Sequence, residues 1–203
     1  MMNTTAYEQR ILRAIQEEWR CPICALLEEE EFDFLADLQY SLSNDEHVRN
    51  AFTHEGGFCD NHFRQFRRMA SIATNALVLL ALVDAHCGTN VPVKLKCRIC
   101  ERLASSEHTL ERVLLNLFAT HAFRELYGRA CGLCLPHRSA VDLHQIYPGL
   151  APWLDEVHRR QIQRFRPVLR ELSSRSFFET TNAERNSIVQ LVEKFVGRRA
   201  VGV

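Results

Sequence analysis

Cysteine and histidine occur in this chain at spacings that suit a shared metal ion. Cys21 and Cys24 form the sequence CPIC, and Cys59 and His62 close the sequence GFCDNH. Thiolate sulfur and imidazole nitrogen are common zinc ligands, and a Cys-x2-Cys pair is a usual first half of a tetrahedral site. A cysteine three residues before a histidine could also be a nucleophile with its base. The first occurrence alone therefore leaves two kinds of chemistry open.

The same pattern occurs a second time. Cys97 and Cys100 form CRIC, and Cys134 and His137 lie in GLCLPH. The second pair follows the first after 34 positions here and after 35 in the earlier copy, so a shift of 75 or 76 residues superposes all eight positions with a single gap. The neighbouring apolar residues and the glycine before each Cys-x2-His also agree. This regularity predicts an internal duplication.

The duplication predicts two closed Cys3His sites that hold two zinc ions. The first set is Cys21, Cys24, Cys59 and His62, and the second set is Cys97, Cys100, Cys134 and His137. A cysteine and a histidine three apart project from one face of a helical turn, and a proline after Cys21 suits the first position of a helix. We therefore expect every ligand pair at a helix N-terminus, where free N–H groups favour thiolates. Four protein ligands make a zinc site structural rather than catalytic, so no catalytic residue is predicted.

Three alternatives remain for these residues. Soft thiolates also suit iron–sulfur clusters, and mixed Cys/His ligation of clusters exists, which would make the chain a redox or sensor protein. In that case Cys87 or Cys131, which fall outside the pattern, could become ligands. A dithiol redox motif is less suitable because it usually follows a strand in a βαβ unit. Buried structural thiols are the third alternative.

Composition restricts the partners that the chain can have. Its 203 residues contain 25 basic and 25 acidic side chains, so no overall field attracts nucleic acid or an anionic membrane. The arginine-rich stretch HRRQIQRFRPVLRELSSR is interrupted by acidic residues and predicts a solvated helix face. The first residues show no signal peptide, and the apolar run ALVLLALV is too short to span a bilayer. We expect a cytoplasmic protein without structural disulfides, whose partner is another protein of unknown identity.

Apolar spacing near 3.6 predicts an all-α fold. Helices are expected after CPIC and CRIC, over about 60–87, over about 151–173 with a bend at Pro167, and at the end of the chain with Asn182 as its cap. Convincing alternating strand patterns are missing.

The predicted organisation has three segments in one compact unit. A first Cys/His helical repeat covers residues 1–88, a second covers 89–150, and a C-terminal helical segment covers 151–203. Each repeat is expected to be closed by its own Cys3His site.

The motifs resemble those of one known family. CPIC-ALLEEEE, GGFCDNH, CRIC and GLCLPH are similar to the paired motifs of a bacterial and archaeal family that is classified as a domain of unknown function. The resemblance runs over most of the chain, including the closing helices. It implies the duplication and metal binding, and it implies no particular activity.

Overall fold

The structure is a computed structural model, and it describes residues 4–17, 20–88, 97–141, 148–174 and 181–197. Every regular element in these ranges is helical, which confirms the all-α prediction. In chain order the helices are α1 Thr4–Glu17, α2 Pro22–Asn44, α3 Glu46–His54, α4 Asp60–Met69, α5 Ile72–Gly88, α6 Arg98–Leu117, α7 His121–Arg129, α8 Leu135–Ala140, α9 Ala151–Gln163, α10 Arg166–Ser173 and α11 Asn182–Val196, with a 3-10 turn at Pro148–Leu150. The stretch 89–96, with which the predicted second repeat begins, lies outside the described residues.

Each ligand pair lies at the start of a helix, as the sequence predicts. Cys21 precedes α2 and its carbonyl accepts the Ala25 N–H at 3.0 Å, and Cys97 precedes α6 in the same way. Cys59 and Cys134 are the N-cap residues of α4 and α8, both with ψ 165. The histidine of each Cys-x2-His pair is therefore the third residue of its helix.

A glycine with a positive φ precedes each Cys-x2-His pair. Gly57 has φ 83 and Gly132 has φ 73, and each lies two residues before the N-cap cysteine. Because this left-handed region is strained for residues with a Cβ, the glycine lets the chain turn into the ligand pair. This shared local geometry is what the glycines of GFC and GLC predict.

The chain divides into two compact units that do not follow the predicted repeats. The first takes in the described residues up to Leu27 and from Ser106 onward, and the second takes in Glu28–Ser105. The divisions fall inside α2 and α6, so each of these helices has residues in both units. Buried apolar side chains form a core in each: Ile11, Leu110, Leu114, Phe118 and Tyr127 in the first, and Leu35, Leu42, Phe52, Phe66 and Val78 in the second.

Two helix boundaries differ from the prediction. The single helix expected over about 60–87 is wrong, because the chain breaks at Ala70–Ser71. There the Ser71 hydroxyl accepts the Thr74 N–H at 3.0 Å and so caps α5. The cap of the last helix is Thr181 rather than Asn182, and it forms a capping box with Glu184.

The bend predicted near Pro167 is confirmed. Helix α9 ends at Gln163, Arg164 and Phe165 form a turn, and the proline occupies the first turn of α10. No helix within the described ranges combines the length and the apolar character that crossing a membrane requires.

Candidate metal centres

All eight predicted ligand residues come together in two clusters. Site A consists of Cys21, Cys24, Cys134 and His137 and lies within the first unit. The Nδ1 atom of His137 lies 3.0 Å from the Cys134 sulfur, 3.4 Å from that of Cys24 and 3.5 Å from that of Cys21. The sulfurs of Cys24 and Cys134 are 3.6 Å apart. One ring nitrogen thus faces three sulfurs.

Site B repeats this arrangement within the second unit. It consists of Cys59, His62, Cys97 and Cys100. The Nδ1 atom of His62 lies 3.1 Å from the Cys59 sulfur, 3.2 Å from that of Cys97 and 3.3 Å from that of Cys100. The Cys59 and Cys100 sulfurs are 3.7 Å apart. In both sites all ligand atoms lie within 4.8 Å of one another.

These distances fit the edges of a tetrahedron around one ion. Zinc bond lengths place two sulfurs about 3.8 Å apart and a sulfur and a nitrogen about 3.6 Å apart. The two measured sulfur–sulfur distances are close to the first value, and the sulfur–nitrogen distances are somewhat shorter than the second. All eight cysteines carry free thiols, so each cluster offers three sulfurs that can bind an ion as thiolates.

The pairing of the motifs predicted from the sequence is wrong. The Cys-x2-Cys pair of each repeat joins the Cys-x2-His pair of the other repeat, and not its own. Helix length gives the physical reason. Helix α2 has 23 residues and advances the chain by about 35 Å, whereas the 9 residues of α3 can return it by only about 14 Å. The return along α3 is thus much shorter than the advance along α2, which favours a partner from elsewhere in the chain for the pair that starts α2.

A glutamate orients each histidine. The Nε2 atom of His137 lies 3.0 Å from Glu107 Oε1, and the Nε2 atom of His62 lies 3.0 Å from Glu31 Oε1. Such a carboxylate fixes the tautomer and the ring orientation of a metal-binding histidine and raises its basicity. This role was not predicted from the sequence, although each glutamate follows the first cysteine of a Cys-x2-Cys pair by 10 residues.

Electrostatics in site B favour a thiolate beside a protonated imidazole when no ion is present. Burial opposes charge on His62, but hydrogen bonds to Cys97 and Glu31 raise its pKa to about 10. Burial likewise opposes the Cys97 thiolate, and the hydrogen bond with His62 lowers the pKa of Cys97 to about 6. Burial and the Cys97 charge raise the pKa of Cys100. The site therefore holds protons that a metal ion would displace.

Electrostatics in site A also favour a thiolate beside a protonated imidazole. Burial opposes charge on His137, but hydrogen bonds to Cys134, Cys21 and Glu107 raise its pKa to about 12. Burial also opposes the Cys21 thiolate, yet hydrogen bonds from Cys134, Cys24 and His137 hold the pKa of Cys21 well below its usual value. Hydrogen bonds with Cys134 and Cys21, together with burial, raise the pKa of Cys24. Here too one thiolate pairs with an imidazolium.

The other candidate residues lie outside both clusters. Cys87 is exposed and Cys131 is buried, and neither belongs to a ligand group. Among the histidines that belong to neither predicted ligand set, His158 is buried and His144 lies outside the described residues. The arginine-rich stretch is largely exposed, and its Arg159 pairs with Glu156 at 2.7 Å.

The fold and the clusters define an all-α protein with two Cys3His groups that could each hold a metal ion. Comparisons with protein-family models, with curated proteins and with solved structures found no match to this chain. The family resemblance of the motifs stays a prediction.

Proposed function

We propose that this chain is a protein scaffold stabilised by two structural zinc ions, one in each site. The observation that carries this proposal is the orientation of the two histidines. Each presents Nδ1 to three sulfurs at 3.0–3.5 Å and Nε2 to a glutamate. That arrangement is typical of metal-binding histidines, and the ligand set Cys3His is typical of structural zinc.

The size of each cluster supports a single ion over an iron–sulfur cluster. All four ligand atoms of a site lie within 4.8 Å of one another. A cluster places at least two irons and their bridging sulfides between its ligands, which would spread the ligand atoms further apart. Four protein ligands also leave no open position for substrate on zinc. The geometry thus supports a structural role over a redox or hydrolytic one.

The ions would close long loops. Site A joins the starts of α2 and α8, and its Cys24 and Cys134 are 110 positions apart. Site B joins the starts of α4 and α6, and its His62 and Cys97 are 35 positions apart. Because a preformed site is absent from an unfolded chain, zinc affinity becomes folding free energy, on the order of 10 kcal/mol per structural site. Free thiols in both sites also fit a reducing, cytoplasmic location.

We further propose that the scaffold binds a protein partner through α5. Helix α5 is apolar on all sides, yet Ile72, Leu79, Leu80 and Val83 remain exposed on it. Leu80 also lines a groove between α3 and α5 of about 420 Å³. An exposed apolar stripe beside a groove suits a partner helix that presents an apolar face of its own.

Elemental analysis of the purified chain tests the zinc proposal. We expect two zinc ions per chain, and Cys134→Ser should lose one of them. Cys87→Ser and Cys131→Ser are matched controls, and both should keep two. A strong chelator should lower the melting temperature of the wild-type chain. Iron with sulfide and visible absorption, or ions removed without any change in melting temperature, would contradict the structural zinc role.

A further inference from the structure

We propose that the two sites differ in kinetic role: site A keeps its ion beneath helix α11, whereas site B exchanges its ion with soluble thiol ligands through Cys59. This inference rests on the proposed zinc scaffold and adds a regulated, exchangeable ion to it.

Burial separates two otherwise similar sites. In site A the exposed fractions of Cys134 and His137 are 0%, and those of Cys21 and Cys24 are 4% and 8%. In site B three ligands are buried, but Cys59 is partly exposed. An incoming ligand must reach the ion before a protein ligand can leave, so site B offers an approach at Cys59.

Helix α11 covers the buried ligands of site A. It packs on α8, the helix that begins after Cys134. At its end, Gly197 has φ 61, and a Cβ at that position would lie 2.5 Å from the Cys134 sulfur and 3.2 Å from Pro136 Cγ. Only a glycine permits this approach, which places the main chain directly against a ligand sulfur.

Lys194 supplies a buried positive charge next to site A. The residue is 3% exposed, and its ammonium group donates to the Cys131 carbonyl and, at 3.3 Å, to Gln161 Oε1. Within the described part of the chain no carboxylate forms an ion pair with it. Burial lowers the pKa of Lys194, while the charges of Cys131, Cys21 and Cys134 raise it. A buried ammonium is costly without an anionic neighbour.

Site A with zinc bound would carry the negative charge that balances the Lys194 ammonium group. Zinc carries two positive charges and three thiolates carry three negative ones, so the loaded site has one net negative charge. Lys194 would balance that charge, because it binds the carbonyl of Cys131, three residues before the ligand Cys134. The ammonium would thereby slow loss of the ion, because the site without zinc no longer carries the net negative charge that balances Lys194.

Helix α11, which covers site A, is not part of the duplicated pattern. Helix α11 belongs to the segment after residue 150, which lies outside the repeated pattern of cysteines and histidines. The repeated pattern supplies the same kinds of ligand to both sites, and the C-terminal segment adds to site A a helix that the pattern does not repeat.

Exchange at site B is a ligand substitution without oxidation or reduction. A thiolate of a soluble acceptor donates an electron pair to zinc at the exposed edge. The bond from zinc to the Cys59 sulfur breaks, the sulfur keeps that electron pair, and it takes a proton from water. Repetition at the other ligands transfers the ion to the acceptor. Zinc remains divalent throughout.

Release kinetics of the zinc-loaded full chain test this inference. The probe is excess 4-(2-pyridylazo)resorcinol, whose absorbance reports free zinc, with and without glutathione as the soluble thiol. We expect one ion to leave at least tenfold faster than the other and its rate to rise with glutathione concentration. Cys59→Ser should lack the fast phase, and Cys134→Ser should lack the slow one. Equal release rates, a fast phase that survives in Cys59→Ser, or no effect of glutathione would overturn the inference.

Variants of the lysine test the cover without removing a ligand. Lys194→Met should accelerate the slow phase several-fold and leave the fast phase unchanged, whereas Lys194→Arg should preserve the slow rate. If Lys194→Met and Lys194→Arg behave like the wild type, the lysine does not hold the ion. These assays begin with two bound ions, so a chain that never binds two refutes the zinc scaffold itself, and two ions that leave together refute only the difference between the sites.

Discussion

At the scale of single residues, each site depends on a carboxylate that would never touch the ion. Glu31 is buried at 4% exposure and holds the far nitrogen of His62, and Glu107 does the same for His137. A carboxylate in this place selects the tautomer whose Nδ1 carries a lone pair toward the sulfurs. The ring would otherwise be free to hold its proton on the nitrogen that faces the ion.

Replacing that carboxylate should weaken one site and spare the other. We expect Glu31→Gln to reduce zinc affinity at site B about 10- to 100-fold, and Glu107→Gln to do so at site A. Glu29→Gln is a matched control, because Glu29 lies on the same helix α2 and is exposed. Competition titration against a chromophoric chelator measures both constants. Glu31→Gln with the affinity of Glu29→Gln would show that the carboxylate does not orient the ring.

His158 should make stability depend on pH. It is buried, and neither ring nitrogen has a hydrogen-bond partner among the described residues. Burial, with the charges of Lys194 and Arg138, lowers its pKa to about 4 from the usual 6.5. The unfolded chain therefore binds more protons between these values, and stability falls as pH falls from about 6.5 to about 4.

The free energy of unfolding measured against urea at pH 7 and pH 5 checks this dependence. At roughly 1.4 kcal/mol per pKa unit, protonation of His158 in the unfolded chain costs about 3.5 kcal/mol over the full range, of which about 2 kcal/mol falls between pH 7 and pH 5. His158→Phe should lose less stability than the wild type over this interval. His121→Gln changes a largely exposed histidine and should behave as the wild type does. An unchanged dependence in His158→Phe would contradict a neutral, buried imidazole.

At the scale of elements, the sites depend on how helices begin. The turn before α8 requires Gly132, which has φ 73, and a Cβ there would lie 2.0 Å from Gln161 Oε1. Gln161 cannot move freely, because its amide donates to the carbonyls of Tyr127 and Ala130 at 3.3 and 3.0 Å. The ligand pair of α8 and the core of the first unit are thus fixed by the same side chain.

Gly132→Ala should destabilise the chain and loosen site A. We expect a loss of about 1–3 kcal/mol from left-handed backbone strain alone, together with faster release of the site A ion. Gly128→Ala provides the control, since a Cβ at this position in α7 meets nothing within 4 Å. Thermal unfolding with zinc bound measures the difference. Equal melting temperatures for the two variants would show that the turn tolerates a side chain.

Local sequence signals predicted most elements but not every boundary. Apolar spacing and the Cys-Pro start indicated α2. The break before α5 was missed because apolar residues flank Ser71 on both sides, so the helical spacing of apolar residues continues across it. What decides it is the hydroxyl of Ser71, which competes for the backbone N–H of the next helix. Such capping is a matter of one side chain and leaves no periodic trace.

At the scale of the whole molecule, the sequence predicted which residues cluster but not which pairs meet. The spacing from each Cys-x2-Cys to the following Cys-x2-His is nearly equal in both copies, so it fits either pairing. The length of α2 favours the crosswise pairing, because this helix carries the chain away before the next ligand pair. A carboxylate such as Glu31 gains its role only when His62 lies beside it.

Dividing the chain in the stretch 89–96 should separate the two halves of both sites. A fragment of residues 1–88 carries Cys21, Cys24, Cys59 and His62, which would suffice for one site if pairing were local. We expect neither this fragment nor residues 97–203 to bind zinc tightly alone, and an equimolar mixture to bind two ions. Native mass spectrometry at micromolar zinc measures the stoichiometry. One tightly bound ion on the first fragment alone would contradict the crosswise pairing.

Crosswise pairing also sets a condition on ancestry. If the two copies of the pattern descend from one, an ancestor with a single copy would have bound metal in this crosswise way only as a symmetric dimer, each subunit completing the other's site. Fusion of two such genes would make that encounter intramolecular, and a fixed effective concentration would replace dependence on protein concentration. It would also let the two sites change independently, because a substitution in one half of a fused chain does not appear in the other half.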